Sequence, residues 1–421
     1  MVENINLSSE IEKQLPIELV EFMQKAGLVD ASQGQSLYLV GGVVRDLLLG
    51  RTNLDLDLVV EGDAISLAQQ LVDITRGKMI THPRFNTAKL QWDKWSIDLT
   101  TARSETYDRP GALPRVKPGS LANDLFRRDF TINAMAIELT PGRYGQLIDP
   151  YRGKNDLSLK FLRILHERSF IDDSTRIWRG LRYEQRLDFQ LEPNTLRLLK
   201  RDIPMLDTVS GDRIRHEMEL ILKEEFPEKV IRRAEELKVL PKLYPALKGD
   251  GWLAEKLGQA RKISHPNSPA VGLYLTLLAY RLTSEENEDL ILRLRLSKSL
   301  AQTLRDNSSL KAKLKSLANP ELTPSGIYHL LHGYSVMTIT ANSLAADSAV
   351  ASEHLQTFLT KLRYVKPVLT GDDLKKMGIS PGPQIKEILQ RLHEARLDGE
   401  VTTKQGEEEL VRGLSGLTRQ E

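Results

Sequence analysis

The sequence predicts an α+β fold in which a mixed sheet with helices precedes a long, entirely helical remainder. Between Leu37 and Leu147, short β-rich runs alternate with stretches of helical periodicity such as Ala64–Thr75. From Ser169 onward apolar residues recur at i, i+3 and i+4, and Pro and Gly interrupt the runs, which is typical of successive helices. A chain of 421 residues exceeds one compact core, so we expect two to four domains.

Composition excludes several classes of protein. The longest apolar stretch, Pro269–Tyr280, is shorter than the roughly 20 residues of a membrane-spanning helix and predicts a buried helix. The absence of cysteine excludes disulfides, zinc ribbons and iron–sulfur clusters. No basic segment followed by an apolar one opens the sequence, so we expect a cytoplasmic protein with no membrane partner. The net charge of +2 does not by itself indicate a nucleic-acid partner.

The first motif is a glycine pair between a strand and a helix. The run Leu37–Val40 predicts a strand, Gly41 and Gly42 follow it, and Val43–Leu49 predicts a helix. Glycine lets backbone approach a ligand closely, and the start of a helix presents free N–H groups to an anion. With Arg45 nearby, the pattern fits a phosphate site, although such turns are also common as purely structural connections.

The second motif is a set of aspartates on predicted strands. Asp55 and Asp57 lie two apart in LDLDLVV, so on a strand both carboxylates point to one face, and the opposite face, which includes Leu54, is buried. Adjacent carboxylates repel each other without a cation, and an oxygen-only pair suits Mg²⁺. Asp98 in SIDLT lies on another predicted strand. Three acidic residues beside a glycine turn favour a two-metal site for nucleotidyl transfer over a solvated sheet face.

The third motif is the segment RRDFTIN, from Arg127 to Asn133. Such dense charge beside an apolar run is compatible with a surface cluster of salt bridges. In the functional alternative, an arginine neutralises a triphosphate and Asp129 accepts a hydrogen bond from a ribose hydroxyl.

The fourth motif begins at the pair Asp172 and Asp173 and continues into a predicted helix. Four arginines fall on one stripe of that helix: Arg176, Arg179, Arg182 and Arg186. A solvated helix face usually mixes charges through i, i+4 pairs, whereas this stripe has one sign. The stripe therefore indicates an anionic partner.

The order of these motifs resembles that of the class II tRNA nucleotidyltransferases (CCA-adding enzymes) and bacterial poly(A) polymerases. The resemblance covers about the first half of the chain and extends weakly into the C-terminal segment. It lies in YLVGGVVRDLLLG with LDLDLVV, RRDFTINAMAI, IDPYRGKNDL and SFIDDSTRIWRGLRYEQRL. It implies a nucleotidyltransferase head of the DNA polymerase β type followed by an elongated all-α neck, body and tail, at residues 1–150, 151–211, 212–318 and 319–421.

The resemblance implies template-independent addition of C and A to the 3′ end of tRNA, with CTP and ATP as substrates, Mg²⁺ as cofactor and pyrophosphate as product. Metal would be held by Asp55 and Asp57, with Asp98 as a third catalytic carboxylate. The nucleotide would be bound by Gly41, Gly42, Arg45, Arg128, Asp129, Asn133, Asp173, Arg176, Arg179 and Arg182. Within this set Asp173 and Arg176 would read the Watson–Crick edge of the base. The family's usual E-D-x-x-R appears here with Asp172 in place of the glutamate.

Several activities remain open at this point. The chain fits a CCA-adding enzyme, an A-adding enzyme or a poly(A) polymerase. The segment Arg103–Leu121 occupies the position of the family's flexible loop, which disfavours a CC-only enzyme. The intact carboxylates disfavour an inactive RNA-binding protein. We expect the tail, through the turn Ser380–Pro383, to contact the tRNA acceptor stem, and the chain to act as a monomer or weak dimer.

Overall fold

The computed structural model describes residues 5–415. The chain divides into two compact units, the first of Met1–Met218 with Glu236–Lys242 and the second of Glu219–Glu235 with Leu243–Glu421. The first unit holds the predicted head and neck, and the second holds most of the predicted body and the tail. The finer division into four domains stays a prediction, and its first four and last six residues lie outside the described part of the chain.

The strands belong to the first unit. In chain order they are β1 (Leu37–Val40), β2 (Leu56–Val60), β3 (Lys78–His82), β4 (Thr87–Trp92), β5 (Trp95–Thr101), β6 (Arg103–Thr106), β7 (Arg115–Pro118), β8 (Ala136–Glu138), β9 (Leu147–Ile148), β10 (Phe161–Leu162) and β11 (Gln190–Leu191). Seven of them form a sheet in the order β3-β4-β5-β2-β1-β8-β9. The pair β2 and β5 is parallel, and the other neighbours are antiparallel, so the sheet is mixed as predicted.

The helices continue through both units. They are α1 (Ser8–Gln14), α2 (Ile17–Ser32), α3 (Gly42–Leu48), α4 (Ala64–Thr75), α5 (Leu121–Phe126), α6 (Gly153–Ser158), α7 (Ser169–Asp172), α8 (Thr175–Leu187), α9 (Pro193–Asp202), α10 (Gly211–Leu222), α11 (Pro227–Glu236), α12 (Leu240–Leu243), α13 (Gly251–Ser264), α14 (Val271–Ala279), α15 (Ser284–Leu294), α16 (Lys298–Leu317), α17 (Pro324–Leu331), α18 (Val336–Ala345), α19 (Ala349–Thr360), α20 (Gly371–Lys376), α21 (Pro383–Leu397) and α22 (Lys404–Ser415). Short 3₁₀ helices lie at Pro83–Phe85, Thr131–Asn133, Ile203–Thr208 and Leu362–Tyr364.

The sheet core explains why the site motifs lie where they do. All four residues of β1 are buried, and in β2 every residue except Asp57 is buried. Helices α2 and α4 pack against the sheet. Helix α4 begins where the Asp63 carboxylate accepts hydrogen bonds from the backbone N–H groups of Ile65 and Ser66. Asp57 is therefore the only polar side chain of β2 that is accessible to a ligand.

Two expectations about the sheet are wrong. Strand β2 begins at Leu56, so Asp55 precedes the strand, and Leu54 is 44% exposed instead of buried. The reason is that a turn made by Asn53, whose Oδ1 accepts from the Asp55 backbone N–H at 2.9 Å, precedes the ladder. The expectation that strands end before Ser169 also fails, because β11 pairs in parallel with β10.

The second unit is helical, as predicted. Helix α14 is buried along almost its whole length, and among residues 5–415 no helix is long and apolar enough to cross a membrane. One core of this unit gathers buried side chains from α16 to α19, together with Leu397 at the end of α21. A smaller core joins α20, α21 and α22. The predicted turn before α21 is present, and Gly378 and Gly382 adopt φ values of +93° and +155°.

Candidate active site

The four motifs meet around a cavity of about 450 Å³ in the first unit, which we call the central cavity. Its wall is formed by the end of β1 and the following turn, β2, β5, the β6–β7 hairpin, the RRDFTIN segment, and helices α8 and α10. The predicted site residues on this wall are Gly41, Gly42, Asp57, Arg128, Asp129, Asn133, Asp173, Arg176 and Arg179. Motifs separated by more than 100 residues in the sequence thus line one space.

The glycine turn between β1 and α3 approaches the cavity closely. Gly41 has φ +79° and ψ −137°, a backbone conformation that side chains of other residues rarely adopt. A Cβ at this position would lie 2.9 Å from Nη1 of Arg128 and 3.5 Å from Oδ2 of Asp57. Glycine is therefore required both by the backbone angle and by the arginine and carboxylate that lie against the turn.

Arg45 lies behind this turn and does not line the cavity. Its guanidinium is 3% exposed and donates to both carboxylate oxygens of Asp46 at 2.9 and 2.8 Å. The third donor, Nη1, reaches Oδ1 of Asn133 at 2.9 Å. The structure therefore does not place Arg45 as a direct ligand of a phosphate, contrary to expectation. It holds Asn133, which does line the cavity.

Of the three predicted catalytic carboxylates, Asp57 lines the cavity, whereas Asp55 and Asp98 lie outside its wall. Asp57 on β2 and Asp98 on β5 are register partners in the parallel pair, and Asp55 is exposed just before β2. Burial, together with the negative charge of Asp55, raises the pKa of Asp57 to about 6. Within residues 5–415 the carboxylates of Asp55 and Asp57 have no hydrogen-bonding or ion-pairing partner, whereas Asp98 accepts from Lys89 at 3.2 Å. The unpartnered pair is thus the stronger candidate for a cation.

The three carboxylates do not form one ready-made ligand group. In the part of the chain that the structure describes, no three His, Cys, Asp or Glu side chains are close enough together to hold a metal ion. Asp98 contributes its charge to the site, since it is among the groups that raise the pKa of Asp57. Its carboxylate is nevertheless turned to Lys89 on the neighbouring strand β4.

Two arginines, Arg127 and Arg128, also line the cavity, and Arg128 lies against the same glycine turn as Asp57. Asp124 on α5 is fully buried and pairs with Nη2 of Arg127 at 2.7 Å and Nη2 of Arg128 at 2.9 Å. Burial opposes ionisation of Asp124, but the two guanidinium groups outweigh it and lower its pKa. Glu105 also pairs with Arg127 at 3.2 Å and with Arg103 at 3.0 Å, so three arginines share two carboxylates. Nε of Arg128 is buried without a hydrogen-bond partner among the described residues. The cluster therefore carries one surplus positive charge that an anionic ligand would neutralise.

Asp129 and Asn133 form the next part of the wall. The Asp129 carboxylate accepts from the backbone N–H of Phe130 at 2.9 Å and from Nδ2 of Asn133 at 3.0 Å. Its other oxygen lies 3.7 Å from Nη1 of Arg179. These bonds fix the orientation of the Asp129 carboxylate at the cavity surface.

Helix α8 and the residue that precedes it supply the opposite wall. Oδ1 of Asp173 accepts from the hydroxyl of Thr175 at 2.6 Å and from Nη2 of Arg213 at 2.7 Å. Although burial opposes ionisation of Asp173, the charges of Arg179 and Arg213 lower its pKa. Oδ2 of Asp173 lies 3.9 Å from Nη2 of Arg179. Asp173 is therefore a fixed carboxylate with one oxygen held by the protein.

The arginine stripe of α8 divides into three environments. Arg176 is 3% exposed and donates to Oγ of Ser169 and to the backbone oxygen of Arg127, while Arg179 is a third exposed and donates to Glu217. Arg182 is buried over the ring of Tyr183 and does not line the cavity, contrary to expectation, and Arg186 is exposed. Only the first two arginines of the stripe reach the cavity, because the later two lie about 9 and 15 Å beyond Arg176 along the helix axis.

Sequence reasoning missed several residues of the wall. They are Arg103, Glu105, Tyr107, Tyr183 and Arg213. Three of these come from β6 and the residue after it, where the period-2 spacing of polar residues was a usable signal. Glu105 accepts from Nη1 of Arg127 and from the Tyr107 hydroxyl, so the hairpin is tied to the arginine pair. Arg213 lies on α10 in no recognisable motif, and only the fold places it beside Asp173.

Comparison with protein families agrees with the motif pattern. Residues 37–163 match the poly(A) polymerase head domain, and residues 188–250 match a probable RNA- and SrmB-binding site of polymerase A. The chain is 31% identical over 409 residues to the A-adding tRNA nucleotidyltransferase of Halalkalibacterium halodurans, covering 95% of this chain and 93% of that protein. It is 34% identical to the A-adding tRNA nucleotidyltransferase of Geobacter sulfurreducens over 94% of this chain and 47% of that protein. The chain thus spans about half the length of the Geobacter relative.

Solved structures share the fold over nearly the whole chain. A CCA-adding enzyme in complex with ATP is 32% identical and superimposes with a TM-score of 0.82, covering 99% of this chain and 100% of that one. The Thermotoga maritima CCA-adding enzyme complexed with tRNA is also 32% identical, with a TM-score of 0.79 and the same coverage.

Proposed function

This chain belongs to the family of tRNA nucleotidyltransferases and poly(A) polymerases, and on that premise we propose that it adds C and A to the 3′ end of tRNA without a template, with CTP and ATP as substrates. The observation that carries the proposal is the central cavity, whose wall brings Asp57, the arginine pair Arg127 and Arg128, and the fixed Asp173 carboxylate around one space. The solved complexes of similar enzymes with ATP and with tRNA support the same ligands here.

The triphosphate would lie against the glycine turn. Gly41 leaves room for an anion beside Arg128, whose surplus charge and unpartnered Nε favour a phosphate oxygen. Arg127 on the same wall adds a second cation. The carboxylate of Asp129 lines the same cavity as Asp173, and it fits a hydrogen bond from a ribose hydroxyl.

The base would lie at the opposite end, between α8 and Asp173. The lowered pKa of Asp173 keeps its carboxylate an acceptor at neutral pH, and Arg176 and Arg179 lie beside it as donors. C and A each present an amino donor next to a ring-nitrogen acceptor, which matches a carboxylate beside a guanidinium. G and U present the reverse order, so this wall would reject them.

The carboxylate pair fits a divalent metal. Asp55 and Asp57 carry oxygen ligands without a hydrogen-bonding or ion-pairing partner among the described residues. Burial first, and the charge of Asp55 second, raise the pKa of Asp57, and a bound cation would stabilise its ionised form. We infer that these two residues hold Mg²⁺ and that the carboxylate of Asp98 adds to the negative charge that attracts the ion. When bound, Mg²⁺ would activate the 3′-hydroxyl of the RNA and stabilise the departing pyrophosphate. The protein itself needs no nucleophile for this reaction.

A second candidate function is addition of the terminal A alone. The two relatives described above, from Halalkalibacterium halodurans and Geobacter sulfurreducens, are both A-adding enzymes. The Asp173 wall suits A as well as C, so its hydrogen-bonding pattern fits either activity. The segment that corresponds to the family's flexible loop forms a hairpin at Arg103–Pro118. Because this segment is present, a CC-only enzyme is disfavoured.

The experiment that tests the proposal uses tRNA transcripts ending at the discriminator base, at C and at CC. Each is incubated with labelled CTP, ATP or both in the presence of Mg²⁺. A CCA-adding enzyme incorporates CTP on the first two transcripts and one ATP on the third, whereas an A-adding enzyme uses only the third. Extended A tracts would indicate a poly(A) polymerase. No incorporation on any transcript would reject the proposed function and leave RNA binding alone.

A further inference from the structure

A second cavity of about 640 Å³ adjoins the central cavity, and we call it the platform cavity. Four residues line both spaces: Glu105, Tyr107, Arg127 and Arg176. Its remaining wall is formed by Ser104, Asn123, Phe126, His166, Glu167, Arg168 and Asp172. A space of this size is within the range of ligand sites, and no role assigned above accounts for it.

An exposed aromatic side chain forms one wall. Phe126 is the last residue of α5, and while Leu121 and Leu125 of the same helix are buried, Phe126 is 46% exposed. Its ring centroid lies 5.0 Å from that of His166 and 6.0 Å from that of Tyr151, so the ring is held by neighbours while part of it remains open. A supported ring with an open surface is the arrangement on which nucleobases stack in single-strand-binding proteins.

The charges around the platform cavity favour a neutral group over a phosphate chain. The guanidinium of Arg127 is engaged with Asp124 and Glu105, and Arg176 is engaged with Ser169. Arg168 is 71% exposed and lies 3.6 Å from Asp172, which leaves one outward cation in a wall that also contains three carboxylates. A second triphosphate would meet too little positive charge here, whereas a base needs none.

His166 contributes a ring and no added charge. Burial and the nearby Arg176 lower its pKa, so the imidazole is neutral at physiological pH. A neutral ring beside Phe126 extends the aromatic surface and offers a hydrogen-bonding nitrogen to a base edge.

We propose that the platform cavity binds one unpaired nucleobase of the RNA 3′ end, stacked on the open side of the Phe126 ring. The inference rests on the proposed function, because the RNA end must reach the central cavity and the two cavities share a wall. The outward Arg168 would contact the adjoining phosphate. Phe126 is thus a substrate-positioning residue outside the nucleotide site.

The test measures binding of RNA without metal or nucleotide. The probes are an acceptor-stem minihelix ending in unpaired discriminator-C-C and the same minihelix with a blunt end, each labelled at the loop and titrated by fluorescence anisotropy. The variants are Phe126→Ala, Phe126→Leu as a control that retains apolar bulk without a ring, and Phe126→Tyr as a control that retains the ring. Because Phe126 is half exposed, all three are expected to fold, which thermal unfolding checks.

Loss of one base stack corresponds to a rise in Kd of about 5- to 140-fold. We expect that rise for Phe126→Ala and Phe126→Leu with the tailed minihelix, no change with the blunt one, wild-type affinity for Phe126→Tyr, and unchanged ATP affinity in all three. Wild-type affinity of Phe126→Leu for the tailed minihelix, or an equal loss on both minihelices, would overturn the inference. Nucleotide addition by the wild-type enzyme is measured in parallel. If the wild type adds nucleotides and the Phe126 variants bind as just described, the stacking inference fails while the proposed function stands.

Discussion

Substitution of Gly41 by alanine tests whether the glycine turn positions the triphosphate. Gly41 combines φ +79° with a tight approach, since an added Cβ would lie 2.9 Å from Nη1 of Arg128. Gly142 has the same φ of +79°, but nothing lies within 4 Å of its Cβ position. Gly142→Ala is therefore a matched control that introduces backbone strain without touching the cavity.

The expected magnitudes follow from the two geometries. Holding alanine at positive φ costs about 1–3 kcal/mol of folding free energy at either position. Only at Gly41 must Arg128 also move away from a turn and from Asp124, which is fully buried and 2.9 Å from its Nη2. The displaced Arg128 would lose its hydrogen bond to the triphosphate. A hydrogen bond to a charged group contributes about 1.5–3 kcal/mol, so its loss corresponds to a fall in kcat/KM for ATP of about 12- to 140-fold.

The assay measures kcat/KM for ATP on a tRNA transcript ending in CC, beside thermal unfolding of both variants. We expect both variants to lose thermal stability and only Gly41→Ala to lose kcat/KM. Equal losses of kcat/KM in the two variants would show that activity follows global stability. Full activity of Gly41→Ala would show that the turn and Arg128 do not bind the triphosphate.

Three further predictions follow from single contacts. Asp57→Asn is expected to abolish nucleotide addition without lowering metal-free stability at pH 7.5, because it removes a charge whose pKa burial raises to about 6; residual Mg²⁺-dependent addition would reject the metal assignment. Arg213→Ala removes the 2.7 Å bond to Asp173, so discrimination of ATP over GTP should fall about tenfold in competition assays, and unchanged selectivity would place base reading elsewhere. Asp30 is buried with both oxygens unpartnered, and burial raises its pKa from 3.8 to about 6. The folded state then binds a proton that the unfolded state releases, so wild-type stability should fall about 2.4 kcal/mol more than that of Asp30→Asn between pH 4 and pH 7.5 in urea titrations; parallel pH profiles would contradict this.

The local structure around the site could be predicted from the amino-acid sequence. Strand β1 and helix α4 have the bounds that their sequence patterns predict, and the glycine pair lies between a strand and a helix as expected. This succeeds because short apolar runs, helical periodicity and capping residues are properties of neighbouring residues. The motifs also indicated which residue types meet a nucleotide, since metal and phosphate chemistry limits the choice.

Tertiary structure alone decided where each charged side chain goes. Arg45 and Arg128 both lie in motifs that predict phosphate binding. The guanidinium of Arg45 is hydrogen-bonded to Asp46 and Asn133, whereas Arg128 lines the cavity. Asp98 carries the same spacing signal as Asp57, but Lys89 on the neighbouring strand turns it aside. Arg213 joins Asp173 from 40 residues away. The physical reason is that a buried charge takes whichever opposite charge the fold brings within a few ångströms, and that distance depends on strand register and helix packing, not on neighbours in the chain.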